Sequence, residues 1–270
     1  MPSSPTSKKI VEVGPGCYNL RAPFKVIGGL VDVGTHMSLI RLSTGGYVAL
    51  STVELDTASK AELDVLTSNG ELLEAVIATN PFHTMAFPSF YTAYPDAKYY
   101  GTPRHLKNIP QIPWSGDVSD RVVRTFWSPD IELEIPEGAE FVAPVPESYN
   151  HFSGIVAFHA ASKTLICDDC FSVSAKAQCR FTTPAGTPKE YNETSFHISL
   201  YGPALHKTPE APKELYKWML KIIHDWDFEN MATAHGGVQY GGSKRSLTEG
   251  LAKLRRFLND TAGKRGGSLR

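Results

Sequence analysis

Histidine and aspartate flank two short apolar segments in the middle of the chain. His151 precedes the segment 155–160, and Asp168 and Asp169 follow the segment 164–167. A short polar turn separates the two segments, which predicts an antiparallel hairpin. The start of one hairpin strand lies beside the end of the next, so His151 and the aspartates are expected to meet at one end of a sheet. A histidine and a carboxylate in that place suit metal ligation or acid–base catalysis.

Two other predicted strands end in residues of the same kind. The buried strand 75–79 is followed by Asn80-Pro81-Phe82-His83, and the strand 231–234 is followed by His235-Gly236-Gly237. The ends of strands in α/β folds are where ligands bind. Histidines combined with aspartate are a common ligand set for Zn, Fe or Mn. The predicted metal ligands are His83, His151, Asp169 and His235.

The elements expected to position these residues alternate between strands and helices. A Gly-Gly turn joins apolar strands at 37–42 and 47–51, and further strands are predicted at 98–101, 132–135 and 140–143. The spacing of apolar residues predicts helices at 57–68, 87–94, 213–226 and 247–258, the first capped by Thr57 and the last by Ser246. This order predicts an α/β sandwich in two similar halves, with loops gathered at one end of the sheets.

Composition and charge exclude several classes of protein. The 270 residues are 41% hydrophobic and 20% charged, which is typical of one large globular domain. A net charge of −1 gives no electrostatic reason to bind nucleic acid or an acidic membrane surface. No apolar run approaches the ~18 residues of a membrane span, and no signal peptide is visible. We therefore expect a cytoplasmic protein whose partner is a small-molecule substrate.

The order of these segments resembles the metallo-β-lactamase superfamily over roughly residues 10–260. The segment Asn150-His151-Phe152-Ser153-Gly154 is similar to the G-H-T-P-G-S segment, whose histidine is a ligand. The strand 164–169 resembles the one that ends in the bridging aspartate, and Asp169 fits that position better than Asp168. Ala234-His235-Gly236 is similar to the last ligand segment. The resemblance implies a single-domain αββα sandwich with a metal at the sheet ends.

The chain departs from this superfamily at its main signature, T-H-x-H-x-D-H, where it has Thr79-Asn80-Pro81-Phe82-His83-Thr84-Met85. Four non-ligand residues replace the signature ligands, and His83 stands one residue out of register. The segment looks like that of a divergent branch with N-x-x-H at this place. A two-zinc site is not expected, and the resemblance implies at most one divalent ion, zinc first and Fe or Mn as alternatives. We predict that Pro81 redirects the loop so that His83 turns towards the other ligands and Phe82 packs beneath the site.

The function implied is a metal-dependent, hydrolase-like enzyme acting on a small, partly apolar molecule. Asp169 would hold or orient the attacking water, and His83 would be a fourth ligand or a proton-transfer group. One alternative is a metal-dependent lyase, isomerase or Fe(II) oxygen-using enzyme on the same site. Another is a binding or scaffold protein that has kept the sandwich and lost the chemistry.

The chain ends, the cysteines and the aromatic residues lead to further expectations. Residues 1–9 are predicted to be a disordered N-terminus, 10–260 the domain, and 261–270 a basic flexible tail. Cys167 and Cys170 have no second cysteine pair to complete a zinc site, so they are expected to be reduced and free of metal. His105 is kept in reserve as a site residue. The following aromatic residues either wall a substrate pocket or pack in the core: Phe82, Phe87, Phe90, Tyr91 and Tyr94.

Overall fold

The structure is a computed structural model and describes residues 8–26, 30–147, 149–175 and 191–269. The first half of the chain contains β1 (Ile10–Gly14), β2 (Cys17–Ala22), β3 (Lys25–Val26), β4 (Val31–Asp32), β5 (Thr35–Arg41), β6 (Tyr47–Leu50), α1 (Thr57–Thr67), β7 (Leu73–Ile77), α2 (Phe87–Ala93), β8 (Lys98–Gly101), α3 (Pro103–Asn108), β9 (Trp114–Asp117) and α4 (Arg121–Arg124). The second half contains β10 (Ile131–Glu134), β11 (Val156–His159), β12 (Thr164–Cys167), β13 (Phe171–Ala175), β14 (Tyr191–Phe196), a 3-10 turn (Ile198–Tyr201), α5 (Ala211–Asp225), β15 (Asn230–Thr233), β16 (Val238–Gln239) and α6 (Ser243–Lys264).

Two sheets form the centre of the molecule. The first has the strand order β1-β2-β5-β6-β7-β8-β9, and the second has the order β10-β11-β12-β15-β16. Two smaller pairs, β3-β4 and β13-β14, lie beside them. The strands β6 to β9 run parallel to one another, as do β12 and β15. Parallel neighbours end at the same edge of a sheet, so the loops that follow these strands gather there.

The sheets pack against each other and against helices on their outer faces. Ile77 of the first sheet and Ile166 of the second share the core between the sheets. On the outer face of the first sheet, α1 and α2 contribute to a second core that includes Leu63 and Phe90. On the outer face of the second sheet, α5 and α6 contribute to a third core that includes Trp218. The predicted αββα sandwich is confirmed. None of the helices in the described ranges combines the length and apolar character needed to cross a membrane.

Strand β6 shows how the sequence produces this layering. Its four residues are all buried, with Val48 and Leu50 in the core between the sheets and Tyr47 and Ala49 in the core beneath α1 and α2. Successive side chains of a strand point to opposite faces, so a strand covered on both faces must be apolar throughout. The near-continuous apolar runs in the sequence therefore mark central strands.

Most predicted elements are present within a few residues, and the central hairpin pairs Val156 with Cys167 as expected. The strand predicted at 140–143 is wrong. There the Glu140 carboxylate accepts hydrogen bonds from the backbone N–H groups of Val142 and Ala143, which bends the chain into a turn. A side chain that bonds its own neighbouring backbone competes with a strand ladder.

Two helix starts also differ from the prediction. The N-cap of α1 is Asp56, not Thr57, because its carboxylate accepts the Ser59 backbone N–H at 2.7 Å. Helix α6 begins at Ser243, so Ser246 lies inside it and its hydroxyl bonds the Gln239 side chain at 3.0 Å. The helix continues to Lys264, past the predicted domain limit at 260. Residues 1–7 of the segment predicted to be disordered lie outside the described residues.

Candidate metal centre

The predicted site residues come together where several strand ends meet. Asp168 and Asp169 directly follow β12, and His235 follows the parallel strand β15. His83 comes from the loop after β7 in the other sheet, and the backbone N–H of Ile155 at the start of β11 donates to Thr79 O in that loop at 2.7 Å. The site therefore receives side chains from both sheets.

Three of the predicted ligands form a compact group. His83, Asp169 and His235 each offer one ligand atom, and these atoms all lie within 4.8 Å of one another. Nε2 of His83 lies 3.2 Å from Asp169 Oδ2, and Nε2 of His235 lies 3.0 Å from Asp169 Oδ1. The arrangement suits a cation bound between the two imidazoles and the carboxylate.

Hydrogen bonding shows that a cation fits this group. His235 Nδ1 donates to the carbonyl of Gly34 at 2.8 Å, so the neutral ring keeps its lone pair on Nε2, facing Asp169. Asp169 is buried, and its Oδ1 has no hydrogen-bond partner. A buried carboxylate oxygen without a donor is costly unless a positive charge satisfies it. A metal ion would meet both needs, since it accepts the lone pair and neutralises the oxygen.

The buried carboxylates of the site are ionised and are paired with imidazoles. Burial favours the neutral form of Asp169, but the neighbouring His83, His151 and His235 hold its pKa well below the usual range. Burial opposes the charge on His83 as well, yet the two aspartates raise its pKa well above the ordinary value. The pKa of Asp168 is also lowered, by His83 and His36, against the effect of burial. In the described part of the chain, each ion pair of these two aspartates is with a histidine.

His83 turns into the site as predicted, and Asn80 is the residue that shapes its loop. The Asn80 side chain accepts the backbone N–H of Phe82 at 2.9 Å and donates to Asp169 Oδ2 at 3.0 Å. The backbone N–H of His83 donates to Asn80 O at 3.2 Å, which closes the turn. Asn80, in the place of the first signature ligand, thus holds the aspartate by a hydrogen bond.

His151 stands at the edge of the group. Its Nδ1 lies 3.4 Å from Asp169 Oδ2, but it is not one of the three residues whose ligand atoms meet within 4.8 Å. The ring stacks on Phe82 with centroids 4.4 Å apart, and it also stacks on His197 with centroids 5.7 Å apart. Phe82 therefore packs against a site residue, as predicted. The role of His151 as a ligand stays a prediction.

The last ligand segment is held in place by the first sheet. Arg21 on β2 donates from Nη1 to Thr233 O at 2.9 Å and from Nη2 to Ala234 O at 2.6 Å. Together with the bond from His235 to Gly34, these contacts fix the backbone and the ring of this candidate ligand. Such outer contacts orient metal ligands and are a normal part of a metal site.

Sequence reasoning missed three residues near the site. The sequence favoured Asp169 over Asp168 as the ligand, and it indicated no role for His36 and His197. His36 is buried on β5, with Nε2 3.3 Å from Asp168 Oδ1, and Nδ1 of His197 accepts the Ser199 backbone N–H at 3.2 Å. A histidine in the buried strand β5 needs a polar partner, so its position in the sequence indicates a buried polar contact. The partner itself was not readable, because Asp168 belongs to the other sheet.

His105, the reserve residue, supports the site from outside. It is buried, its Nδ1 lies 2.8 Å from the Thr102 hydroxyl, and its Nε2 lies 3.3 Å from the backbone carbonyl of His83. Burial lowers the pKa of His105 to about 4, so the ring is neutral at physiological pH. It therefore holds the loop backbone and does not face Asp169.

Cys167 and Cys170 are buried free thiols, as is Cys17. Cys170 Sγ donates to the carbonyl of Phe152 at 3.1 Å. Burial raises the pKa of both Cys167 and Cys170, so neither is a thiolate near neutral pH. The structure thus agrees with reduced thiols at these two positions. Cys179 lies outside the described residues.

A cavity of about 160 Å³ opens beside two of the candidate ligands. It is lined by His83, His235, Pro23, Phe24, Thr35, Thr52, Val53, Glu54, Phe82, Thr84, Met85 and Ala86. Five aromatic residues were expected either to wall a pocket or to pack in the core, and Phe82 lines this cavity. The others belong to the core beneath the first sheet, where Phe87, Phe90 and Tyr94 are buried and against which Tyr91 packs. The wall of the cavity is therefore mostly apolar, with the two histidines at one side.

The fold is similar to that of solved metallo-β-lactamases. The enzyme from Hirschia baltica matches with a TM-score of 0.55 at 11% identity, over 91% of this chain and 96% of that one. FIM-1 from Pseudomonas aeruginosa, solved in its mono-zinc form, matches with a TM-score of 0.54 at 9% identity, over 91% and 95%. The metallo-β-lactamase from Pontibacter korlensis matches with a TM-score of 0.53 at 9% identity, over 91% and 98%. No protein-family model matches the sequence, and no curated protein matches it significantly.

Proposed function

We propose that this chain, which has the metallo-β-lactamase fold, is a hydrolase that depends on one divalent metal ion held by His83, Asp169 and His235. One observation carries the proposal: Asp169 Oδ1 is buried without a hydrogen-bond donor, 3.0 Å from an imidazole nitrogen whose ring is tied to Gly34 on its other side. Zinc is the first candidate, because two histidines and one carboxylate suit it, and Fe and Mn accept the same ligands.

The ion would supply Lewis acidity, polarising a substrate carbonyl and lowering the pKa of a water bound beside it. The chain's own residues orient the reaction. Asp169 is fixed by the Asn80 amide on Oδ2, which leaves Oδ1 for the ion. His151 stands 3.4 Å from Asp169 Oδ2 with 30% of its side chain exposed, which suits a further ligand that the substrate can approach. Phe82 covers the His151 ring and keeps water from that face.

The substrate we propose is a small, partly apolar molecule. The cavity beside His83 and His235 has apolar walls that include Phe24, Val53 and Met85. An apolar group of the substrate would fill this cavity, and the scissile carbonyl would then lie near the histidines. Hydrolysis of small esters, thioesters, lactones or lactams is the reaction class that this arrangement suits.

Metal analysis of protein purified without a histidine tag tests the proposal first. We expect one equivalent of tightly bound metal after dialysis against zinc, and two equivalents would contradict the single site. Hydrolysis of a panel of small apolar esters, thioesters, lactones and β-lactams should follow the zinc content. Asp169→Asn should lose both metal and hydrolysis, whereas Asp227→Asn, which changes an exposed partner of Lys163, should keep both. A chain that binds zinc and hydrolyses no member of the panel would contradict the hydrolase assignment.

The ligand set supports a second candidate function. Two histidines and one carboxylate are also the facial ligand set of mononuclear Fe(II) enzymes that use oxygen. Anaerobic purification with iron, followed by measurement of oxygen consumption on small apolar substrates, separates this candidate from the hydrolase. A chain that binds neither zinc nor iron would favour the non-catalytic alternative.

A further inference from the structure

Asp168 is a buried carboxylate to which the proposed function assigns no role. The Thr79 hydroxyl donates to its Oδ2 at 2.5 Å. Two imidazole nitrogens face its Oδ1, His36 Nε2 at 3.3 Å and His83 Nδ1 at 3.5 Å. All three partners belong to the first sheet and the loop that follows it, whereas Asp168 follows β12 of the second. Asp168 therefore connects the two sheets through its side chain.

The hydrogen bonds of Asn19 determine where His36 carries its proton. Asn19 Nδ2 lies 3.3 Å from the carbonyl of Met37, which only accepts, so this atom must be the amide nitrogen. The same nitrogen donates to His36 Nδ1 at 3.0 Å. Nδ1 of His36 is therefore an acceptor, and the proton of the neutral ring is on Nε2, facing Asp168. Nε2 of His36, with its proton, thus faces Asp168 Oδ1 at 3.3 Å, although that oxygen has no hydrogen-bond partner.

His83 lies between the two aspartates. Its Nδ1 faces Asp168 Oδ1 and its Nε2 faces Asp169 Oδ2. A neutral imidazole has one proton, and a nitrogen that binds metal must present its lone pair. If Nε2 faces the ion beside Asp169, the proton must be on Nδ1. No hydrogen-bond partner takes Nδ1 of His83 in the described structure, and the nearest carboxylate oxygen is that of Asp168.

We propose that Asp168 is a positioning residue that holds the Nδ1 proton of His83 and so presents Nε2 to the metal ion. The inference rests on the proposed metal site. It also explains why two aspartates stand side by side: Asp169 binds the ion, and Asp168 supports a ligand. Nδ1 of His235 donates to the backbone carbonyl of Gly34, whereas Nδ1 of His83, in the loop after β7, faces a carboxylate. A carboxylate partner makes an imidazole a stronger ligand than a carbonyl does.

Zinc titration of the full chain tests this role with two variants. Asp168→Asn should weaken zinc affinity by roughly 10–100-fold, the usual effect of losing an outer partner of a ligand. His36→Gln is the matched control, because it removes the other imidazole next to Asp168 and leaves the carboxylate facing His83. Both variants are expected to lower the melting temperature. Only Asp168→Asn should lower zinc affinity strongly, and equal affinities for Asp168→Asn and the unmodified chain would overturn the inference.

Nitrogen-15 NMR of the zinc-loaded chain gives a readout that a merely structural role would not move. The His83 ring should carry its proton on Nδ1 and bind zinc through Nε2, with its signals identified by their loss in His83→Gln. A proton on Nε2 would overturn the inference even if Asp168→Asn fails to fold. An unmodified chain that binds no ion overturns the proposed function, and this inference with it. An unmodified chain that binds zinc no better than Asp168→Asn overturns the positioning role alone.

Discussion

The two ends of the β11–β12 hairpin both hold a histidine, but they satisfy it with different chemistry. At the turn end, Nδ1 of the buried His159 lies 2.8 Å from the Ser162 hydroxyl, which donates to the Thr164 hydroxyl at 2.9 Å. At the open end, His83 lies 3.2 Å from Asp169 and 3.5 Å from Asp168. One histidine meets neutral hydroxyls and the other meets two buried carboxylates.

This difference in partners separates the structural end from the end that holds the candidate metal site. Hydroxyl groups satisfy a neutral imidazole without adding charge, so the network around His159 is complete. The two buried carboxylates at the other end are ionised and depend on the surrounding imidazoles for charge balance, and Asp169 Oδ1 lacks a hydrogen-bond partner. Buried charge is tolerated when it is paired or binds a metal ion. A cation is therefore expected at the open end only.

The largest expected effect comes from removing the central carboxylate. Asp169→Asn should reduce zinc affinity by more than the ~100-fold upper range for an outer partner, because a ligand itself is lost. Isothermal titration of the metal-free protein with zinc measures this. If Asp169→Asn bound zinc as tightly as the unmodified chain, the expected cation site at the open end would be contradicted.

Truncating His83 and His159 separately sharpens the comparison of the two hairpin ends. His83→Ala should weaken zinc binding at least 10-fold because a proposed ligand is lost, and it should also destabilise the metal-free protein because Asp168 and Asp169 lose an imidazole partner. His159→Ala should leave zinc binding unchanged and lose about 1–3 kcal/mol of unfolding free energy because buried hydroxyls lose their partner. Zinc titration and thermal unfolding of both variants check this. Similar profiles for the two would remove the distinction.

At the turn end, the stability of the protein should depend on pH through His159. Burial lowers the pKa of His159 below its unfolded value, so the folded state resists protonation. Its contribution to stability is complete above the unfolded pKa of about 6.5 and is lost as pH falls towards the lower folded pKa. Urea unfolding of the metal-free chain between pH 7.5 and pH 5 should show a falling unfolding free energy, and His159→Gln should flatten this slope. An unchanged slope in His159→Gln would assign the effect to other groups.

The smallest expected effect concerns the cysteines beside the aspartates. Changing Cys167 and Cys170 together to Ala should leave the zinc content unchanged and lower the unfolding free energy by about 1 kcal/mol per site. Both thiols are buried and their pKa values are raised, so they offer no thiolate to a metal. Metal analysis of the double variant checks this, and a loss of zinc would bring sulfur into the site.

The sequence predicted those contacts that depend on neighbouring strands. His151 and Asp169 were paired correctly because a hairpin is local and its turn is readable. The orientation of His83 was predicted from the loop, but the reason, the two hydrogen bonds of Asn80, depends on Asp169 in the other sheet. The contact between His36 and Asp168 joins residues far apart in the chain, and no local pattern encodes it. The strand predicted at 140–143 failed for a local reason, since Glu140 binds its own backbone.

The division of the ligand group between the sheets has a mechanical consequence. His83 belongs to one sheet and Asp169 and His235 to the other, so a bound ion would cross-link the two layers. A ligand that binds only the folded state adds about 2.7 kcal/mol of stability at a concentration 100 times its dissociation constant. The Arg21 contacts to Thr233 and Ala234 bridge the same layers permanently, whereas the ion would be a removable bridge. Chelation should therefore loosen the sandwich along the seam between its sheets, starting at the edge where the ligand group lies.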